Sequence, residues 1–97
     1  MQTYSLEDFA SAANQGFDLA LGSATAPLTL VEVRPLPPQP YPGMTRAPFS
    51  LTFRGASQVV LPQKLYSLTH ATLGRLELFL VPVGRDGQGV LYQALFN

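Results

Sequence analysis

Residues 49–55 read FSLTFRG, and this stretch decides the fold class. Apolar and polar residues alternate through it until Gly55 interrupts the pattern. A period of two places successive side chains on opposite faces of an extended chain, so that one face is buried and the other is exposed. The stretch therefore predicts a β-strand with Phe49, Leu51 and Phe53 in the core.

Alternation with the same period continues on both sides of this strand. Further strands are predicted at residues 17–21, 28–34, 65–70, 75–83 and 90–96, with a brief piece at residues 59–61. Most connections between them are short, which favours antiparallel pairing. Pro82 lies inside a strand pattern and predicts an edge position or a β-bulge there. The pattern indicates five or six strands.

Two of these strands carry more specific expectations. In residues 28–34 one face changes from apolar to charged midway, which predicts that the strand bends. In residues 75–83, Phe79 shares its phase with the two valines that follow it. The alternation therefore predicts that Phe79 is buried, as it does for Phe53.

A single helix is predicted before the strands. Ser5-Leu-Glu-Asp8 has the form of a capping box, in which the serine hydroxyl and the acid satisfy free N–H groups of the first turn. Apolar residues then recur at helical spacing as far as Ala13. The sequence Asn14-Gln15-Gly16 is a stop signal, with Gly16 expected to take the left-handed conformation. The helix is predicted at about residues 6–14.

These elements predict a single domain over residues 1–97 that is mainly β. One short N-terminal helix, within about residues 5–15, precedes a five- to six-stranded bent antiparallel sheet over residues 17–97. We expect this sheet to form a small barrel or half-barrel, with a Pro-rich loop at residues 34–48.

Composition bears on what surrounds the domain. Of 97 residues 46% are hydrophobic and only 12% are charged, about half the usual ~25%, and the net charge is zero. So few charges leave apolar surface to be covered by a partner. Unless the barrel closes fully, the strands at residues 17–21 and 90–96 are also weakly guarded edges. We therefore expect a homodimer or larger homo-oligomer, held mainly by apolar contact.

The segment RPLPPQPYPGMTRAP, residues 34–48, connects the second and third predicted strands. Its prolines fix the backbone in an extended form, so the segment is stiff. Its start matches the Arg-x-x-Pro-x-x-Pro form of SH3-domain ligands, and a stiff loop without a partner is a further alternative. We favour an arm that packs on the domain or reaches a neighbouring subunit, with Tyr41 and Met44 as its contact residues.

Few residues are suited to catalysis or to metal binding. The chain has no cysteine, and His70 is its only histidine. The six acids show no ligand spacing, and no nucleophile elbow or phosphate-binding loop is present. His70 is in phase with Tyr66 and Leu68, which predicts a packed or hydrogen-bonded strand histidine. We therefore expect a protein that is not an enzyme, with no cofactor and no metal, and a small hydrolase using His70 is the least favoured alternative.

The sequence also bears on location. The first residues, MQTYSLEDF, contain neither a basic segment nor an apolar one. The longest apolar run, around residues 76–83, is far shorter than the ~20 residues of a membrane span. These features favour a cytoplasmic protein without membrane contact.

The segment TFRGASQVVL, residues 52–61, resembles the part of Sm-like proteins in which a hydrophobic-Arg-Gly turn between two strands contacts RNA. The order of one helix and then bent strands is also similar to the Sm-like fold. The resemblance implies an Sm-like variant of the barrel, with RNA binding through Arg34, Arg46 and Arg54 as an alternative function. In that family this segment closes the chain, whereas residues 62–97 follow it here, and the neutral net charge lacks a basic excess.

A second resemblance covers nearly the whole chain and is carried by SLEDF, VEVRPLPP, RAPFSLTFRG, LPQKLYSLTHATLG, LELFLVPVG and YQALFN. These strings are similar to a family of short bacterial proteins classed as a domain of unknown function. Members of that family are often encoded near phage-tail-like collar proteins, which implies a structural or accessory role. We therefore expect a non-catalytic, self-associating β module, a structural or adaptor protein that contacts other proteins.

Overall fold

A computed structural model describes residues 4–37 and 48–96 as one helix followed by six strands. These are α1 (Leu6–Ala10), β1 (Gly16–Leu21), β2 (Ala24–Pro35), β3 (Phe49–Gly55), β4 (Lys64–His70), β5 (Gly74–Asp86) and β6 (Gly89–Phe96). The prediction of a mainly β fold with one short N-terminal helix is confirmed. The brief strand predicted at residues 59–61 is wrong, because these residues belong to the connection between β3 and β4.

The six strands form a closed antiparallel barrel in the order β1-β2-β3-β6-β5-β4. Of the two architectures that the sequence left open, the barrel is therefore the one observed. Both strands that were expected to be edges, β1 and β6, are paired on each side. None of the described strands therefore offers a free edge through which two copies could pair.

One seam of the barrel is much shorter than the others. Over the described strands, β1 and β4 pair at two positions, Asp18 with Thr69 and Leu19 with Leu68. By comparison, β4 and β5 pair at seven positions from Lys64–Leu80 to His70–Gly74. Beyond Leu19 no further pair joins β1 to β4.

The two longest strands each bend at a β-bulge. On β2, Leu30 pairs with Phe53 and Glu32 pairs with Thr52, so Val31 is an extra residue. The bulge reverses the alternation, which explains why one face of this segment changes from apolar to charged. The predicted bend is thus confirmed. On β5 the register shifts between Pro82 and Gly84, which confirms the predicted bulge at the proline.

The core is lined by the residues that alternate on β3 and by their partners. Phe49, Leu51 and Phe53 are all buried, as predicted. The rest of the buried apolar set comprises Phe9, Ala12, Phe17, Leu19, Leu28, Leu30, Tyr66, Leu68, Leu76, Leu78, Leu80, Val90, Tyr92 and Ala94.

The predicted burial of Phe79 is wrong, because the side chain is 51% exposed. Phe79 and the two valines share their phase with Arg75 and Glu77, so the alternation over the whole strand favours the other phase for the core. The pairing with β4 agrees with this. Tyr66 and Leu68 face the core and pair with Leu78 and Leu76, and directly paired residues share a face.

Helix α1 begins as the sequence predicts but ends earlier. The Asp8 N–H donates to the Ser5 hydroxyl, and the Ser5 N–H donates to the Asp8 carboxylate, which completes the capping box. The left-handed residue is Asn14, with φ 66°, rather than Gly16. The backbone N–H of Asn14 donates to the Leu30 carbonyl at 2.6 Å, which ties the end of the helical segment to β2 before β1 begins.

Candidate functional site

One end of the barrel is filled by aromatic side chains beneath α1, and we call it the closed end. The Phe9 ring lies 5.6 Å from that of Tyr4, 6.0 Å from Phe49 and 5.3 Å from Phe96, measured between centroids. Phe49 and Phe96 stack at 4.7 Å. These four rings close this end of the core.

His70 is buried at the closed end and is fixed by hydrogen bonds. Its Nδ1 accepts from the backbone N–H groups of Thr72 and Leu73, each at 3.2 Å. Because Nδ1 accepts, the ring proton lies on Nε2, which donates to the Gln15 side chain at 2.7 Å. The centroid of the His70 ring lies 4.5 Å from that of the Phe17 ring. The prediction of a packed, hydrogen-bonded histidine is confirmed.

The opposite end of the barrel is open and holds an apolar pocket of about 310 Å³, which we call the mouth pocket. Its lining residues are Leu21, Ala26, Pro27, Leu28, Gly55, Ala56, Ser57, Val59, Leu61 and Tyr92. None of these residues carries a charge, so the pocket is suited to an apolar group.

The space exists because small residues occupy inward-facing positions near this end. Ala26 pairs with the buried Leu19 and shares its face. Gly55 pairs with Leu28, and a Cβ atom added to it would lie 3.3 Å from a Leu28 methyl and 3.4 Å from the Tyr92 ring. Larger side chains at these positions would occupy the floor of the mouth pocket.

Residues 56–63 form one wall of the mouth pocket and are held by two tyrosines that project from the core. The Tyr66 hydroxyl donates to the Pro62 carbonyl at 2.6 Å, and the Tyr92 hydroxyl accepts from the Leu61 N–H at 3.0 Å. Burial, and to a lesser degree the neighbouring Tyr92 phenol, raise the pKa of Tyr66. Hydrogen bonds from the two tyrosines therefore hold the wall at Leu61 and Pro62.

The first half of the same wall is exposed. Val59 lines the mouth pocket and is nevertheless 69% exposed, and Val60 beside it is 47% exposed. Lys64 begins β4 just after the wall, and its ammonium lies 5.4 Å from the centroid of the Tyr66 ring. Apolar side chains therefore line the opening, and the register of β4 against β1 puts Lys64 at the same end of the barrel.

A second apolar surface lies on the outside of the barrel. Leu65 on β4 pairs directly with Phe79 on β5, and they are 56% and 51% exposed. Val81 lies on the same side of β5 as Phe79 and pairs with Gln93 on β6. Leu95, two residues after Gln93 on the same side of β6, is 60% exposed. We call Leu65, Phe79, Val81 and Leu95 the outer apolar face.

Of the residues predicted to bind a partner, the two that the structure describes, Arg34 and Arg54, are not brought together. Arg34 pairs with Ser50 on β3, and Arg54 lies four residues further along that strand, roughly 13 Å away. The predicted residues Tyr41, Met44 and Arg46, and most of the Pro-rich loop, lie outside the described residues.

Each of the two described arginines has an acidic partner. Arg34 contacts Glu32 at 3.2 Å, and Arg54 donates twice to one Asp86 oxygen, at 3.1 and 2.7 Å. The Gln88 backbone N–H, and then Arg54, lower the pKa of Asp86. Neither guanidinium is therefore an uncompensated charge.

The sequence reasoning missed the mouth pocket and the outer apolar face. It treated Gly55 only as the end of a strand, although a glycine in the core phase is also a signal of unfilled space. It treated Phe79 and the valines of β5 as core, although Arg75 and Glu77 lie in the same phase and indicate an outward face. Within residues 4–37 and 48–96, no group of three His, Cys, Asp or Glu side chains is placed to hold a metal ion. The described helix is too short to cross a membrane.

The described part of the chain is thus a small closed antiparallel barrel with one filled end and one open end. Residues 4–96 match a family model described as Domain of unknown function (DUF6916), and the chain belongs to that family. This confirms the resemblance to a domain of unknown function. No curated protein and no solved structure matches the chain.

Proposed function

We propose that this protein is a non-catalytic, self-associating β module that serves as a structural or adaptor protein. The observation that carries the proposal is the outer apolar face. Its central pair, Leu65 and Phe79, exposes more than half of each side chain on a barrel whose core is already complete. Exposed apolar patches of this kind are typical of surfaces that bind other proteins.

A second copy of the chain is the partner that the surrounding residues favour. Next to the pair Leu65–Phe79 lie Ser67 and Glu77, and then Thr69 and Arg75, on the same side of β4 and β5. The outward side chains next to the apolar pair thus include one acid and one base, so this part of the face has no net charge that would select a charged partner. A two-fold axis that crosses β5 near Phe79 places the apolar residues of the two copies against each other.

The test is sedimentation equilibrium of the wild-type protein and of a double variant, Leu65→Thr with Phe79→Thr. Threonine keeps the preference for a strand and removes apolar area. We expect the wild type to be a dimer or larger, with weak dependence on salt, and the double variant to dissociate at least about tenfold more readily.

The matched control is Val60→Thr, which alters an apolar residue of similar exposure, 47%, outside the outer apolar face. It should associate like the wild type. A monomeric wild type at micromolar concentration, or equal association of the wild type and the double variant, would overturn the proposal.

Two further expectations accompany this proposal. The family resemblance favours a bacterial, cytoplasmic protein that is accessory to a phage-tail-like assembly, and the same face would supply the contact. An RNA-binding module remains the alternative, and it is tested by titration with single-stranded RNA at two salt concentrations. The compensated charges of Arg34 and Arg54 weigh against it.

A further inference from the structure

We propose that the mouth pocket is a binding site for a medium-length aliphatic chain, entering tail first, with a carboxylate head left at the opening. The inference is independent of self-association, because the mouth pocket and the outer apolar face have no residue in common.

The size of the mouth pocket sets the length of the chain. Its volume of about 310 Å³ lies at the lower limit of small-molecule sites. At ~30 Å³ for each water-sized group, it holds about ten such groups, which corresponds to a chain of about eight to ten carbons. A single side chain from a partner would fill only part of this space.

The lining favours an alkyl chain over a polar molecule. The two hydroxyl groups at the wall already accept hydrogen bonds, Ser57 from the Val59 N–H and Tyr92 from the Leu61 N–H. The other lining residues are apolar, and the smallest of them are Gly55 and the alanines such as Ala26. Among the lining side chains only the O–H groups of these two residues can still pair with a polar ligand group, so most of its hydrogen-bonding capacity would lose its water without compensation.

The opening explains the direction of entry and the head group. Because no pair joins β1 to β4 after Leu19, Leu21 lines the mouth pocket with a partner on β2, Ala24, and none on β4. Lys64 stands at the start of β4, three residues after the lining residue Leu61. In the described residues, its ammonium has a ring contact with Tyr66 and no acidic partner. A head group that emerges here meets a cation, which favours a carboxylate.

The experiment is calorimetric titration of the full chain with straight-chain carboxylates of about six to twelve carbons, kept below their micelle-forming concentrations. Burial of each methylene group contributes about 0.8 kcal/mol, so the affinity should rise about fourfold per carbon. The rise should stop once the mouth pocket is full, at about eight to ten carbons. An affinity that does not depend on length, or that rises through the whole series, would overturn the proposal.

Two matched pairs of variants locate the site. Ala26→Leu fills the floor and should abolish binding, whereas Ala20→Leu makes the same change at an exposed position of β1 and should not. Should Ala26→Leu fail to fold, a second pair on the exposed wall answers the same question. Val59→Asp places a charge against the ligand and should weaken binding about tenfold or more, whereas Val60→Asp should not.

Equal binding by the two members of the pair that folds would overturn the assignment of the site. Co-sedimentation with phosphatidylcholine vesicles, without binding of the monomeric carboxylates, would also overturn it, because a membrane surface and not a single chain would then be the ligand.

Discussion

The two ends of the barrel use the same inward-facing positions in opposite ways. At the closed end these positions carry Phe49 and Phe96, whose rings stack on each other and contact Phe9 of α1. At the open end they carry Ala26 and Gly55, which leave a pocket. The first end gains packing contacts, and the second end leaves room for a ligand at the cost of contacts within the chain. We therefore expect substitutions at the closed end to cost more stability than substitutions at the open end, which holds the candidate binding site.

The largest expected effect compares one apolar residue from each end. Phe49→Ala removes a fully buried ring from the aromatic cluster and should lower the free energy of unfolding by about 3–5 kcal/mol. Leu21→Ala, at a residue 36% exposed beside the mouth pocket, should lower it by about 1 kcal/mol or less. Urea unfolding of both variants measures this, and equal losses would remove the distinction between the ends.

A second prediction concerns a close backbone contact at the open end, between Gly89 and Gly55. Gly89 has φ 150°, and a Cβ atom on it would overlap the Gly55 carbonyl oxygen. Gly89→Ala should therefore destabilise by about 1–3 kcal/mol from backbone strain alone, with a further cost as β3 and β6 move apart.

Gly87, two residues earlier, is the control for this prediction. A Cβ atom on Gly87 would contact nothing within 4 Å, so Gly87→Ala should change the stability by less than about 0.5 kcal/mol. Thermal unfolding of the two variants is the measurement. A tolerated Gly89→Ala would show that the contact between β3 and β6 is not fixed at this end.

The smallest expected effect concerns the hydroxyl groups that hold the wall of the mouth pocket. Tyr66→Phe removes the hydrogen bond to Pro62 and should cost about 1 kcal/mol near neutral pH. The pKa of Tyr66 is raised above its ordinary value of 10.0. The unfolded chain therefore loses this proton first, and the stability that Tyr66 contributes is complete below pH 10.0 and is lost as the pH rises above it.

The difference in stability between the wild type and Tyr66→Phe should accordingly narrow between about pH 8 and about pH 11. Urea unfolding at both pH values checks this, with Tyr4→Phe as the control for a tyrosine at the closed end. A difference that stays constant would show that the Tyr66 hydroxyl is equally solvated in the folded and unfolded chains.

The parts of the fold that the sequence predicts are those that local pattern determines. The alternation in β3 and the capping box at Ser5 depend on neighbouring residues only, and both predictions are confirmed. The prediction for Phe79 fails because it relies on the two valines of its phase, whereas Arg75 and Glu77 share that phase and the register of β5 against β4 turns it outward. The mouth pocket depends on residues from β1, β2, β3 and β6 that meet only when the barrel closes. Its position is therefore a property of the register and not of any single segment.

The short seam between β1 and β4 has a consequence for how the chain reaches this structure. Its two pairs join residues about fifty positions apart in the chain, Asp18 with Thr69 and Leu19 with Leu68. Contacts between residues so far apart in the chain cost loop-closure entropy when they form, and the two pairs of this seam offset little of that cost. We therefore expect the seam to form last in folding. Until it forms, the chain is an open sheet with two free edges, the species from which aggregation begins. Amide hydrogen exchange should report this directly, with faster exchange at Leu19 and Thr69 than in the ladder between β3 and β6.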